Sequence, residues 1–260
     1  MDKRFLKEDG WAAFTGNELL LKGALEGGIA LLTGYPGSPV SEVFDAVGRA
    51  APLLLENGVV AQMANNEALA AARLNGARLA NLRAMAVMKS VGMHVAADGL
   101  AIGNLSEPRQ PAGGALVVVG DDPWNETTQI NSDSRFLSLH LHMPVLEPAT
   151  FQEIKDWIKD AFELSGETDL YFTYVLTTNQ ADGGGTVRCR PNLFPSVNHL
   201  QRTLLTAGQL PVDRTVMIPP HTSLREATLA ARYQKLLAAV RTRGLNRVEG
   251  PAGSAPLGFV

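Results

Sequence analysis

Cysteine is nearly absent from this sequence: Cys189 is the single one in 260 residues. An internal disulfide framework is therefore excluded, and so is an iron–sulfur cluster or structural zinc site built from cysteines of this chain. Cys189 itself reads as a small residue on or near a strand. Long apolar runs are missing as well, and none is long enough to span a bilayer. The opening segment, 1–10, is charged and lacks the apolar core of about 7–15 residues that a signal peptide needs. The expected compartment is the cytoplasm. No more than two Lys or Arg are adjacent anywhere, and the formal net charge is −3. Neither gives the electrostatic footprint of a nucleic-acid binder. The chain also shows no internal repeat.

What is present is an ordinary globular composition, 45% hydrophobic and 19% charged, with 25 glycines and 15 prolines to punctuate it. That length and composition allow one large or two modest domains with a sizeable core. Helical spacing over 16–28 is followed by an apolar run at 29–33, a turn-rich 34–39 and a helix over about 40–56. Strands are expected at 59–63, 84–88, 115–119, 144–146 and 170–176, because these runs are short and apolar. Helices are expected from Asn65, as N-cap, to about Ala80, and over 91–102 and 151–164. The stretch 103–114 reads as a surface loop. Uniformly apolar strands alternating with helices imply an α/β fold, a parallel sheet with helices on both faces.

A boundary is expected at Asp182-Gly183-Gly184-Gly185, separating a binding domain, 1–182, from a C-terminal extension, 183–260. In the extension a helix is expected from about Ser223 to Arg243, stopped by Gly244. After a Gly/Pro/Ala/Ser-rich linker, Leu257-Gly258-Phe259-Val260 has the character of a first strand leading into a further domain. A tail docked on the body is the alternative.

In open α/β sheets ligands collect at the carboxyl ends of strands, and four polar groups fall there. Gly34-Tyr35-Pro36-Gly37-Ser38-Pro39 makes a tight loop that presents Ser38 and backbone groups. It serves either a ligand or simply a rigid strand-to-helix turn, and it lacks the Gly-Lys-Ser/Thr ending of a phosphate-binding P-loop. Glu67 lies in a helix first turn, where a carboxylate complements the helix dipole or acts as an acid–base group in a cleft. Lys89, Ser90 and His94 interrupt a very apolar region. Gly120-Asp121-Asp122-Pro123 is followed by Gln129 and Asp133-Ser134-Arg135. The adjacent aspartates point apart and have no third partner in view, so no metal site is expected. This segment reads as substrate or cofactor contacts.

These motifs, together with Gly16-Asn17-Glu18, Asn66-Glu67, Pro144-Val145-Leu146-Glu147-Pro148 and Leu245-Asn246-Arg247-Val248-Glu249, follow one another in an order that covers nearly the whole chain. In that order they resemble the N-terminal, thiamine-diphosphate pyrimidine-binding domain of the indolepyruvate ferredoxin oxidoreductase large subunit, in the 2-oxoacid oxidoreductase family. The resemblance implies that Glu67 faces N1′ of the thiamine aminopyrimidine, so that proton loss from thiazolium C2 is promoted. It places Tyr35, Pro36, Gly37, Lys89 and Gln129 around the cofactor, and Ser38, Ser90, His94 and Arg135 on the substrate side. It implies oxidative decarboxylation of a 2-oxoacid to an acyl-CoA, with electrons passing to a ferredoxin-type acceptor. A non-oxidative thiamine-dependent decarboxylase or lyase is the alternative, and a non-catalytic α/β scaffold is a third class.

The sequence departs from the family in what it omits. The Gly-Asp-Gly…Asn signature of the diphosphate site and the Cys clusters are absent. Thiamine diphosphate would then be shared with a second domain or subunit that binds its diphosphate and Mg²⁺. Iron–sulfur clusters would sit only on partner domains, and the complete assembly would be a dimer. The tract 180–185 differs from the indolepyruvate type, which leaves the particular 2-oxoacid open.

Overall fold

In the computed structural model, residues 1–107, 113–195, 200, 219–247 and 250 are described. A 3₁₀ turn, Lys3–Leu6, leads into β1 (Trp11–Thr15) and α1 (Gly16–Glu26). Then β2 (Leu31–Gly34), α2 (Val43–Glu56), β3 (Val60–Met63), α3 (Glu67–Leu79), β4 (Arg83–Lys89), α4 (Ser90–Leu105) and β5 (Gly114–Asp121) alternate. The sequence continues through α5 (Ser134–His140), β6 (Val145–Leu146), α6 (Phe151–Thr168), β7 (Phe172–Thr177), α7 (Thr178–Asp182) and β8 (Gly184–Arg188). Two helices, α8 (His221–Glu226) and α9 (Leu229–Arg243), follow.

Six strands form one parallel sheet in the order β3-β2-β4-β5-β7-β6. Every residue of β5 is buried, as a central strand covered on both faces requires. Side chains alternate along the strands and so build two cores. Met85, Val87, Leu116 and Val118 face α1, α2 and α6, whereas Ala84, Ala86, Val117 and Val119 face α3 and α4. The expected α/β architecture, with helices on both faces of a parallel sheet, is what the structure shows.

Local chemistry sets the element ends. Thr15 and Thr150 each close a reciprocal capping box with the glutamate three residues on, Glu18 and Glu153. The N-cap of α3 is Asn66, one residue past the expected Asn65, and its side chain accepts from Leu69 N at 2.8 Å. The α4 helix runs to Leu105 and β5 starts at Gly114, so both invade the stretch expected as loop. The helix expected over 223–243 is two helices, broken where Thr228 turns its hydroxyl onto Arg225 O at 2.7 Å.

A second, two-stranded sheet pairs β1 antiparallel with β8, from Trp11 opposite Arg188 to Thr15 opposite Gly184. The chain beyond Asp182 therefore returns to the N-terminal strand. Residues 248, 249 and the apolar 257–260 lie outside the described residues. None of the helices among the described residues is long and apolar enough to cross a membrane.

The α1 helix is buried along its whole length, charges included. Glu18 pairs with Arg4 at 2.6 Å and Arg49 at 2.8 Å. Glu26 pairs with the fully buried Lys155, and Lys22 Nζ donates to Lys7 O and Asn192 Oδ1, each at 2.7 Å. Such ions are tolerated inside because each is matched by an opposite charge or by fixed acceptors. Burial nevertheless pushes the Lys22 ammonium down, with Glu26 partly restoring it.

Candidate functional site

The chain leaves the adjacent parallel strands β2 and β4 in opposite directions. From β2 it crosses by α2 to β3 on one side, and from β4 by α4 to β5 on the other. Such a divergence opens a crevice at the carboxyl ends of the strands, where ligands of open α/β sheets bind. The residues of the 34–39 loop, Glu67, Lys89 and Ser90 all emerge at this end.

Four contacts bring them together. Tyr35 N donates to Val87 O at 3.0 Å and Ala64 N to Gly34 O at 2.7 Å, which ties the loop after β2 to β4 and to the approach to α3. Gly37 packs on Lys89: a Cβ on Gly37 would lie 2.8 Å from both Cγ and Cδ of the lysine. Glu67 packs on Gly92 in the first turn of α4, where a Cβ would lie 2.8 Å from its Cγ and Cδ and closer still to Oε1. The two charged side chains of the crevice thus each rest on a residue without a side chain.

Glu67 is 7% exposed. Among the described residues no hydrogen bond or ion pair engages its carboxylate. Tyr35, Pro36 and Ser38 are exposed, Gly37 and Lys89 half-buried, and Ser90 buried. The remaining expected site residues stand further out. His94 is exposed a turn beyond Ser90 on α4. Gln129 is exposed and hydrogen-bonded to none of the others. Arg135 is held at 2.8 Å by Asp133 and lies 3.6 Å from Glu147.

The paired aspartates shape the rim rather than reach into the crevice. Asp121 accepts from Ser134 N at 2.8 Å and from the Ser134 hydroxyl, anchoring the start of α5. Burial pushes its carboxyl up, and the Ser134 bonds offset this only in part. Asp122 gathers the backbone N–H groups of Glu126, Thr127 and Thr128. Burial would raise this carboxyl too, but those three donors hold it well below the usual carboxylate range. Both aspartates thus also fold the 122–133 loop. Among the described residues no three His, Cys, Asp or Glu side chains are grouped to hold a metal.

Two contributors lay outside the sequence-level site. Asn17 is buried, and its Nδ2 donates to Pro39 O at 3.0 Å and Ala181 O at 3.3 Å, clamping the end of the 34–39 loop. Its Oδ1 has no partner among the described residues. Gly92 lies within a motif singled out for its polar residues, not its glycine. Only the close approach of α3 to α4 reveals it.

The crevice is bordered by large exposed apolar side chains in the segments that follow the strand ends. They are Tyr35, Met63, Leu69, Val95, Trp124 and Ile130, the last two on the loop that Asp122 organises.

No family model matches the chain. Among curated proteins it is 32% identical over 236 residues to the indolepyruvate oxidoreductase subunit IorA of Pyrococcus horikoshii, covering 91% of this chain and 35% of that protein. It is 37% identical over 173 residues to IorA of Archaeoglobus fulgidus, covering 66% of this chain and 27% of that protein. The chain thus spans about a third of the length of the curated relatives it matches. Among solved structures, the 2-oxoglutarate:ferredoxin oxidoreductase of Magnetococcus marinus, with 2-oxoglutarate, coenzyme A and succinyl-CoA bound, superposes with a TM-score of 0.63 at 17% identity. That match covers 94% of this chain and 48% of the other. The resemblance carried by the motifs therefore holds on both counts: the chain is similar in sequence to about a third of the archaeal indolepyruvate oxidoreductase subunit IorA, and it shares its fold with one half of a 2-oxoacid:ferredoxin oxidoreductase chain.

Proposed function

We propose that this chain is the pyrimidine-binding module of a thiamine-diphosphate-dependent 2-oxoacid oxidoreductase of the indolepyruvate kind. One observation carries the reading. The Glu67 side chain, 7% exposed at the topological switch point, rests on the bare backbone of Gly92, and its carboxylate has no protein partner among the described residues. A carboxylate held in such a place without a protein partner is left available for a ligand to complete. An aminopyrimidine suits this place, because a ring nitrogen can accept from a protonated carboxyl or, once protonated, donate to a carboxylate. When bound, thiamine diphosphate supplies an electron sink for loss of carbon dioxide from a 2-oxoacid.

This chain's own residues would hold and orient that group. Glu67 exchanges a proton with N1′, while Tyr35, Pro36, Gly37, Lys89 and Gln129 frame the ring. Ser38 and Ser90 present hydroxyls on the substrate side, with His94 and Arg135 further out. All of these belong to the unit 1–182, and 183–260 forms its extension, with β8 laid against β1. The diphosphate and its Mg²⁺ would sit on a second domain or subunit, and iron–sulfur clusters on partners.

The apolar rim supports that arrangement, since monomers seldom expose so many large apolar side chains around one cleft. A diphosphate-binding partner covering the rim would exclude water from the reacting carbon, and the complete assembly would be a dimer. The relatives' names favour an oxidative reaction, and the solved neighbour favours coenzyme A and a ferredoxin-type acceptor; the cytoplasm is the expected compartment.

The test is Glu67→Gln in the assembled enzyme. Glutamine keeps the size but cannot give N1′ a proton, so hydrogen–deuterium exchange at thiamine C2 falls by at least about a hundredfold. Exchange at the wild-type rate removes Glu67 from this role.

A further inference from the structure

We propose that Gly92 is a positioning residue for Glu67: its missing side chain is the space that sets where the Glu67 carboxylate stands. The inference rests on the reading of Glu67 given above. Helical glycines of this chain differ in what surrounds them. Gly48 and Gly76 have nothing within 4 Å of where a Cβ would be, so alanine fits there freely. At Gly92 the same Cβ would lie 2.8 Å from Cγ and Cδ of Glu67 and nearer still to Oε1. Carbon atoms in ordinary contact stand about 3.5–4.0 Å apart, so the carboxylate must retreat by roughly 1 Å.

What retreats decides the consequence. The three nearest neighbours of that Cβ all belong to the Glu67 side chain, and none is backbone. Glu67 can turn a rotamer and leave the helices where they are, while alanine in a helix is intrinsically favoured over glycine. Gly92→Ala is therefore expected to leave the fold as stable as before, or slightly more so, and yet to misplace the carboxylate. A misplacement of about 1 Å at a reacting group costs on the order of a hundredfold in rate. Unaltered stability with lost proton transfer distinguishes a positioning residue from a packing one.

The experiment compares Gly92→Ala, Glu67→Gln and the control Gly76→Ala, which lies on the helix that begins with Glu67. Three quantities are read: the melting temperature of the cofactor-free chain, its ¹³C carboxyl spectrum with Glu67 assigned from Glu67→Gln, and C2 exchange in the assembled enzyme. The expected result is that Gly92→Ala melts no lower than wild type, shifts the Glu67 carboxyl resonance and slows exchange about a hundredfold. Gly76→Ala matches wild type in the last two. If Glu67→Gln slows exchange but Gly92→Ala does not, the role of Gly92 is overturned while that of Glu67 stands. If Glu67→Gln itself exchanges normally, the reading beneath both fails. A marked fall in the melting temperature of Gly92→Ala also overturns the proposal, because the backbone, not the Glu67 side chain, would then be what yields.

Discussion

Asp169→Asn should destabilise this protein by about 3 kcal/mol, through a charge left buried far from the candidate site. Asp169 caps α6 in the left-handed conformation, φ 59°, and three arginines from three helices converge on it. Arg78 of α3 and Arg225 of α8 each pair with its carboxylate, and Arg232 of α9 donates to its carbonyl. Asparagine tolerates the left-handed backbone and keeps the shape, so the substitution removes the charge alone. Arg225 retains Leu105 O at 2.9 Å, and Arg232 retains Asn104 O at 2.8 Å. Arg78 keeps only a long contact to Gly113 O at 3.5 Å, with its side chain 1% exposed.

Breaking a buried ion pair costs about 3–5 kcal/mol. The lower end applies because the Asp169 side chain is 20% exposed. For a chain of this size that corresponds to a fall of about 6–12 °C in melting temperature. Thermal denaturation followed by circular dichroism measures it. Arg78→Met combined with Asp169→Asn should recover much of the loss, because the orphaned charge is gone. A single variant melting within about 2 °C of wild type, or a double variant no better than the single, refutes the reasoning.

Asp121 makes a prediction about pH. Its folded pKa is raised by burial, so the folded state binds its proton more tightly than the unfolded chain. Its contribution to stability therefore declines as pH rises from the unfolded value through the raised one, then levels. Asp121→Asn keeps an acceptor for Ser134 N and lacks that decline. Its stability relative to wild type should grow over this window, and melts at pH 3–8 showing a constant difference would contradict the sign. Calorimetry should find that this chain alone, with Mg²⁺ present, binds thiamine diphosphate weakly or not at all, because the diphosphate contacts come from elsewhere. Tight binding at one equivalent would mean the site is complete here.

The parallel sheet was legible because runs such as 84–88 and 115–119 are apolar on both faces, which only a doubly covered strand tolerates. The antiparallel pair was not. Gly184-Gly185-Thr186-Val187-Arg188 has little strand character, and its partner β1 is distant in sequence, so the ladder depends on tertiary docking. The short α5 hid for a related reason: Phe136 and Leu139 are both exposed, and its one apolar core contact is the half-buried Leu137. Within the site, the position of Glu67 at the head of a helix after a strand could be read from the sequence. Gly92 and Asn17 could not, since their roles come from close approach between α3 and α4 and between α1 and the 34–39 loop. The bonds of Asp121 to Ser134 and of Asp122 to three backbone N–H groups were not legible in the sequence, because they depend on how the 122–133 loop folds back.

The central claim is that Glu67 meets N1′ of a bound aminopyrimidine, and ¹⁵N resonance of N1′-labelled thiamine diphosphate in the assembled enzyme tests it most directly. The account predicts that N1′ is hydrogen-bonded or protonated in the wild type, with its resonance moved upfield of the free cofactor, and that Glu67→Gln returns it towards the free position. An N1′ resonance that is the same in both proteins would contradict the account.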